Sequence, residues 1–181
     1  SVFGEPKSLP MNEKTPLNPI TPYCISKATI ENIAKYYFTY FGINHVGLRY
    51  FNVYGPRQNV DAYYTSVIIL FLKKIMNNES PIIDGDGKQS MDFIHLNDVV
   101  NANVLALEKA IKAEVFNIGT NRSTSIAKLV NILIDSCGKK RIKPRFTGKK
   151  SIVSRRKTDY SKAKSLLGWT PRINVVDGLN E

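Results

Sequence analysis

Two residues in the stretch Thr21-Pro22-Tyr23-Cys24-Ile25-Ser26-Lys27-Ala28 are spaced for proton chemistry. In an α-helix, positions four apart lie one turn apart on the same face, so Tyr23 and Lys27 can address a single ligand. An ammonium beside a phenol stabilises the phenolate and draws a pKa of about 10 toward working pH, which makes a competent general base. Spacing alone does not decide the matter. With 9 Tyr in a lysine-rich chain of 181 residues, chance supplies about one Tyr-x-x-x-Lys match. Tyr160 and Lys164 form a second match. The competing reading of either pair is a helix-surface tyrosine beside a solvated lysine.

The elements that must position the two pairs differ. Thr21 suits a helix cap, Pro22 the first helical position, and the apolar residues from Ala28 to Phe41 recur at helical spacing until Gly42, which predicts a helix over 22–41. Before it, five prolines within residues 5–22 dictate an ordered loop or a linker, and Ser1 to Gly4 reads as a strand end. After it, Ile43 to Tyr50 reads as a buried parallel strand and Asn52 to Asp61 as a loop. Ligands of open α/β sheets gather at the carboxyl ends of strands, so the Tyr23 helix and the strand end at Asn52 converge on one crevice. Tyr160 and Lys164 sit instead in a highly charged segment with no such context. Further helices are predicted over 62–78, 98–112, 125–137 and 161–167 and from Val175. Further strands are predicted over 81–83, 91–94, 115–118 and 142–146, so the fold class is α/β.

Composition narrows the function classes. The length suits one domain with a sizeable core. The longest apolar run, residues 66–72, is far below the roughly 20 residues of a membrane span, so no membrane passage is expected. No leader pattern is visible, and Cys24 and Cys137 have neither metal-ligand spacing nor disulfide density, which leads to the expectation of a reducing cytoplasm and no metal. The net charge is +11, and Lys139 to Lys164 carries all of it, with twelve basic residues against Asp159 alone. Such a block reads as a nucleic-acid or anionic-surface patch, as a solvated face, or as a pocket for a small polyanion. A basic nucleic-acid-binding module is therefore the non-enzymatic alternative.

Six segments, in order, resemble the extended short-chain dehydrogenase/reductases that act on nucleotide sugars, the family typified by UDP-glucose 4-epimerase and the nucleotide-sugar 4,6-dehydratases. Ser-Val-Phe-Gly at the start resembles the strand end S-x-V-Y-G, and Thr-Pro-Tyr-Cys-Ile-Ser-Lys resembles the catalytic helix S-P-Y-x-x-S-K. Leu48 to Gln58 resembles L-R-Y-F-N-V-Y-G-P-R-Q almost letter for letter, and Gly85 to Asp98 resembles G-D-G-x-Q-x-R-D-F-I-x-V-x-D. Phe116 to Gly119 resembles Y-N-[IV]-G, and Asp159 to Ala163 with Leu167 to Pro171 resembles D-x-S-K-A…L-G-W-x-P. One such match is weak, and six collinear ones are specific.

The resemblance implies the C-terminal part of a Rossmann-type doubly wound parallel sheet, residues 1–60, with a smaller α/β substrate-binding lobe made mainly from 61–181. It implies NAD as cofactor and a nucleotide sugar, foremost a UDP-hexose, as substrate of an epimerase. Tyr23 takes the place of the base that removes a sugar hydroxyl proton, Lys27 that of the lysine on the nicotinamide ribose, Phe51 that of a residue approaching the nicotinamide, and Asn52 that of a ligand of the substrate diphosphate. It also implies a homodimer through a helix pair that includes the Tyr23 helix, makes nucleic acid an unexpected partner, and leaves Tyr160 and His95 structural.

Departures from the family pattern fall at the phosphates and at the start. Met91 stands where an Arg is common, and Lys149 stands at the R-x-G-D arginine, keeping charge without the bidentate fork; Arg155, Arg156 and Arg57 are the compensating cations. A 4,6-dehydratase needs an Asp-Glu pair where Ser1 now stands at the Glu position, which favours the epimerase. No G-x-x-G-x-x-G loop occurs, since Gly85 to Ser90 leads to a strand, so the expectation is a chain without the cofactor-binding half. Purified as these 181 residues, the chain is expected to carry no stoichiometric NAD when denatured and assayed for released nucleotide; one equivalent would overturn this expectation.

Overall fold

A computed structural model describes residues 2–60, 66–149 and 155–181. In chain order these form α1 Pro22–Phe41, β1 Val46–Tyr50, β2 Asn52–Tyr54, α2 Val67–Met76, β3 Ile82–Ile83, β4 Ser90–Met91 and β5 Phe93–His95. There follow α3 Leu96–Glu108, β6 Glu114–Ile118, β7 Thr124–Ser125, α4 Ile126–Ser136, β8 Arg145–Phe146, a π-helical turn Ala163–Leu167 and the short α5 Val175–Gly178. No helix among the described residues is long and apolar enough to cross a membrane.

The sequence sets both ends of α1. The Thr21 hydroxyl accepts the Cys24 amide at 3.2 Å, Pro22 opens the helix, and Gly42 closes it at φ 67° with its amide 3.0 Å from the Phe38 carbonyl. Only Cys24 and Ala28 of this helix are buried. Ile30, Ile33, Tyr36, Tyr40 and Phe41 are exposed, so the apolar periodicity that predicts the helix does not mark a face covered within this chain.

Strand pairing is parallel in three of the four pairs. β1 pairs with β6, β2 with β5 and β3 with β8, while β4 and β7 are antiparallel. The run from Val46 to Tyr54 changes partner midway: the Phe51 amide donates to the Ile118 carbonyl at 3.0 Å, and the next amide, Asn52, donates to Asp92 at 3.1 Å. The expected loop from Asn52 is therefore a strand for its first three residues, because β5 offers that stretch a second ladder. The expected strand over 43–50 begins at Val46 and is half-buried or exposed throughout, because β6 is its one partner among the described residues. The expected strand over 91–94 is split at Asp92, and the one over 142–146 contracts to β8. Residues 62–65 of the expected helix over 62–78 lie outside the described residues.

Two apolar cores result. In one, Ile68, Phe71 and Ile75 of α2 meet Leu129, Val130 and Leu133 of α4 above Phe93. In the other, Phe116 and Ile118 of β6 meet Ala102 of α3, Leu167 and the fully buried Trp169. Asp98 stitches the second core to the tail: its carboxylate accepts the Arg172 and Ile173 amides at 3.0 and 3.1 Å, and its carbonyl accepts the Trp169 indole N–H at 2.9 Å. Beside β6, a Cβ at Gly119 would run into the side chain of Thr158. Both are held by neighbours on either side, so Gly119→Ala is expected to destabilise the fold by about 1–3 kcal/mol, read as a lower denaturant midpoint with an unchanged slope.

Candidate active site

Tyr23 and Lys27 lie on the first turns of α1 with both side chains exposed, and the Lys27 ammonium stands 5.5 Å from the Tyr23 ring centroid. Directly after Lys27, the same turns are anchored through Ala28. Ala28 packs with Val2, Phe3 and Met11, and Phe51 covers the same cluster, its ring centroid 6.4 Å from that of Phe3. The expected strand end at residues 1–4 is a turn at Val2 and Phe3, with no strand partner among the described residues, and this turn, the first turns of α1 and the partner switch at Phe51 meet in one place.

A half-buried ion pair fixes the rotation of α1 against the sheet. Arg49 of β1 donates to both carboxylate oxygens of Glu31, Nε to Oε1 at 2.8 Å and Nη2 to Oε2 at 2.7 Å, and its guanidinium carbon lies 5.1 Å from the centre of the Phe3 ring. The side chains are 11% and 21% exposed. A bidentate arginine pair is held by geometry as well as charge.

Asn52 sits at the switch, with its Nδ2 donating to the Asp92 carbonyl at 2.9 Å. Asp92 is fully buried, and its carboxylate accepts the Thr120 amide at 2.8 Å, the Thr120 hydroxyl at 2.6 Å and the Thr158 amide at 3.0 Å. Burial pushes this carboxyl above its ordinary range, with the hydrogen bonds from Thr120 and Thr158 opposing the shift. Nearby Tyr54 is no rival base. Burial first, and then the carboxylates of Asp98, Glu181 and Asp177, hold its phenol well above the usual value. His95 is packed and fully buried, with Nδ1 accepting the Asn97 amide at 3.3 Å as the cap of α3 and the ring edge-on to Tyr54. Tyr160 packs edge-on against Trp169 with centroids 5.9 Å apart, which accounts for it without chemistry.

The cations expected at the phosphates are scattered. Arg57 is exposed with φ 63°, and Lys149 is exposed just beyond the β3–β8 pair, its amide on the Thr147 hydroxyl. Neither makes a side-chain hydrogen bond or ion pair with Asn52 among the described residues. Arg155 is brought closer by its backbone, which bridges Ser90, two residues before Asp92. Arg156 goes further: its guanidinium donates to the Gly4 carbonyl, joining the segment after β8 to the N-terminal segment that precedes α1. Burial lowers its pKa, with Glu5 and Cys24 opposing.

Asp92, the Glu31–Arg49 pair and the Arg156 link are functional supports that motif reading passed over. Their signal was present, since Arg49 and Asp92 are charges inside apolar strand patterns, and a buried charge requires partners.

The family model described as NAD dependent epimerase/dehydratase family matches residues 1–119. A curated relative described as putative UDP-glucose 4-epimerase, from Methanocaldococcus jannaschii, is 40% identical over 179 residues, covering 99% of this chain and 57% of its own. Among solved structures, a UDP-N-acetylglucosamine 4-epimerase from Methanobrevibacter ruminantium M1, in complex with UDP-N-acetylmuramic acid, superposes with a TM-score of 0.92 at 32% identity over 99% of this chain and 58% of its own. A UDP-glucose 4-epimerase from Thermotoga maritima, with UDP-glucose, gives 0.91 at 36% identity over 98% and 57%. The chain thus spans somewhat more than half the length of these relatives.

Removing the Asp92 carboxylate leaves the Thr120 and Thr158 amides unpaired, so Asp92→Ala is expected to cost about 2–4 kcal/mol. The fold raises this carboxyl above its ordinary 3.8, so the folded state binds the proton more readily than the unfolded chain. The stabilisation is full below the unfolded value and declines as pH rises through the folded one. Denaturation across acid to neutral pH should show the gap between wild type and variant widest in acid and narrower at neutrality.

Proposed function

Because the chain belongs to the NAD dependent epimerase/dehydratase family, we propose that the protein is a nucleotide-sugar epimerase acting on a UDP-hexose, with Tyr23 as its general base. The observation that carries this reading is the Tyr23–Lys27 pair, phenol ring and ammonium 5.5 Å apart on one exposed face of α1. The same turns meet Phe51 through Ala28, and Asn52 follows at the strand switch. The UDP-sugars named with the two similar solved structures support the choice of substrate class.

The residues present fit NAD in the chemistry of their donors: an ammonium for ribose hydroxyls, a phenol for proton exchange and an aromatic ring at the strand switch. Bound there, NAD supplies a reversible hydride acceptor. The chain's own part is to move a proton and hold the substrate. Tyr23 accepts the hydroxyl proton of the sugar at its phenol oxygen and returns it to the same oxygen of the product. Lys27 would hold the nicotinamide ribose through its ammonium, and it places a positive charge one helical turn from Tyr23. Phe51 excludes water from one wall. Asn52 has a second Nδ2 proton beyond the one given to Asp92, and offers it to a diphosphate oxygen. Arg57, Lys149 and Arg155 supply the cationic surroundings of the diphosphate, with Lys149 acting as a point charge in place of an arginine fork. The exposed Tyr36, Tyr40 and Phe41 of α1 support a homodimer through that helix, and the setting proposed is cytoplasmic.

In the full-length protein that carries this chain, Tyr23→Phe is expected to lower UDP-hexose turnover by at least about 100-fold while circular dichroism and the unfolding midpoint stay unchanged. Undiminished turnover in the folded variant would remove Tyr23 from the mechanism.

A further inference from the structure

A cavity of about 280 Å³ opens between α4, the turn joining β6 to β7, and the segment that follows Trp169. None of Tyr23, Lys27, Phe51, Asn52, Arg57, Lys149 or Arg155 lines it. Three cations do, Arg122, Lys128 and Arg172, together with the apolar groups of Phe93, Ile173 and Val175, and no Asp or Glu is among its lining residues. All three cations are exposed, and none of their side chains has a hydrogen bond or ion pair among the described residues. Like charges gathered around one concavity repel one another and focus a positive potential into it.

The neighbouring carboxylates do not neutralise that potential from inside the cavity. Asp98 is buried behind the wall, its oxygens accepting the Arg172 and Ile173 amides, and it does not line the cavity. Asp92 accepts the Thr120 amide and hydroxyl and the Thr158 amide. Asp177 of α5 is held by the Asn174 side chain. These same bonds fix the walls. Asp98 pins the Arg172–Ile173 backbone, and the Thr120 hydroxyl holds the Arg122 amide at 3.2 Å, so that two of the cations stand on backbone that is already ordered. A preformed site loses little entropy when it is filled.

We infer that this cavity is a binding site for a small organic phosphate, with Arg122, Lys128 and Arg172 on the phosphate and the Phe93, Ile173 and Val175 wall against the carbon skeleton. Arginine forks suit phosphate oxygens, and the mixed lining suits an anion with an organic body. The volume lies at the lower end of ligand pockets, which selects something the size of a sugar phosphate.

Ribose 5-phosphate and inorganic phosphate, titrated into the 181-residue chain and followed by calorimetry, test the site. Saturable binding of ribose 5-phosphate with Kd below about 1 mM is expected, tighter than that of inorganic phosphate. The triple variant Arg122→Gln/Lys128→Gln/Arg172→Gln should weaken it at least about tenfold, whereas Lys139→Gln/Lys140→Gln/Lys143→Gln, which removes the same charge elsewhere, should change it less than about twofold. Absence of saturable binding at about 10 mM, equal loss in the two triple variants, or equal affinity for the two phosphates would overturn the proposal. Amide chemical shifts of the wild-type chain give an answer even if a variant fails to fold. Perturbation at Thr120, Arg122 and Ile173 supports the cavity, and perturbation confined to residues 51–57 and 149–156 places the anion elsewhere and overturns it.

Discussion

At the point where the run from Val46 to Tyr54 leaves one strand partner for another, the backbone carbonyl of a buried aspartate takes up the Asn52 amide, and its carboxylate takes up amides from two further segments. Asp92 lies between β4 and β5; its carbonyl accepts both the backbone and the side-chain N–H of Asn52, and its carboxylate accepts Thr120 and Thr158. Four segments distant in sequence are tied at one residue. An unmet buried amide costs on the order of 1–3 kcal/mol, so the carboxylate tolerates its own desolvation because it settles several such debts at once. The extended path through Phe51 and Asn52 depends on Asp92, whose carbonyl holds both N–H groups of Asn52.

The orientation of α1, and of the exposed Tyr23–Lys27 pair on it, depends on a second polar constraint. A helix with only Cys24 and Ala28 buried has little apolar packing to fix its rotation. The Arg49–Glu31 pair supplies that fixation by joining the middle of α1 to β1, and Phe3 lies against the guanidinium. Hydrophobic contact is non-directional, whereas a two-bond ionic fork sets an angle. The apolar residues left exposed on α1, together with β1 having a single partner among the described residues, show that the organisation of this region rests on polar geometry more than on burial.

Charge is distributed by the same logic. The basic excess between Lys139 and Lys164 looks like one patch in sequence, but the fold disperses it. Lys162 pairs with Glu114, Arg156 turns inward to Gly4, and Lys139 reaches the Asn78 side chain. The concavity lined by three cations draws on Arg122, Lys128 and Arg172, outside that block altogether.

Helices and turns were legible because their signals are local. Thr21 and Pro22 start α1 and Gly42 ends it, Ser66 caps α2, and Ser125 caps α4. The family, and through it the Tyr23–Lys27 reading, was legible from six short segments in order. Strand ends were less so: whether Asn52 is loop or strand depends on β5 arriving beside it, and whether Met91 to Ile94 is one strand or two depends on what Asp92 must bond. Among the cations, motif position singled out Lys149, with Arg155, Arg156 or Arg57 as alternatives to compensate for the lost fork, and only the folded chain distinguished Arg156, whose guanidinium reaches the Gly4 carbonyl. Sequence by itself determined the helices, the α/β class and the family, since capping, periodicity and motif order are carried by neighbouring residues. Tertiary structure alone decided partner switching, the pairing of buried charges and the gathering of Arg122, Lys128 and Arg172 around one cavity, because each of these arises between residues that meet only when distant segments have packed.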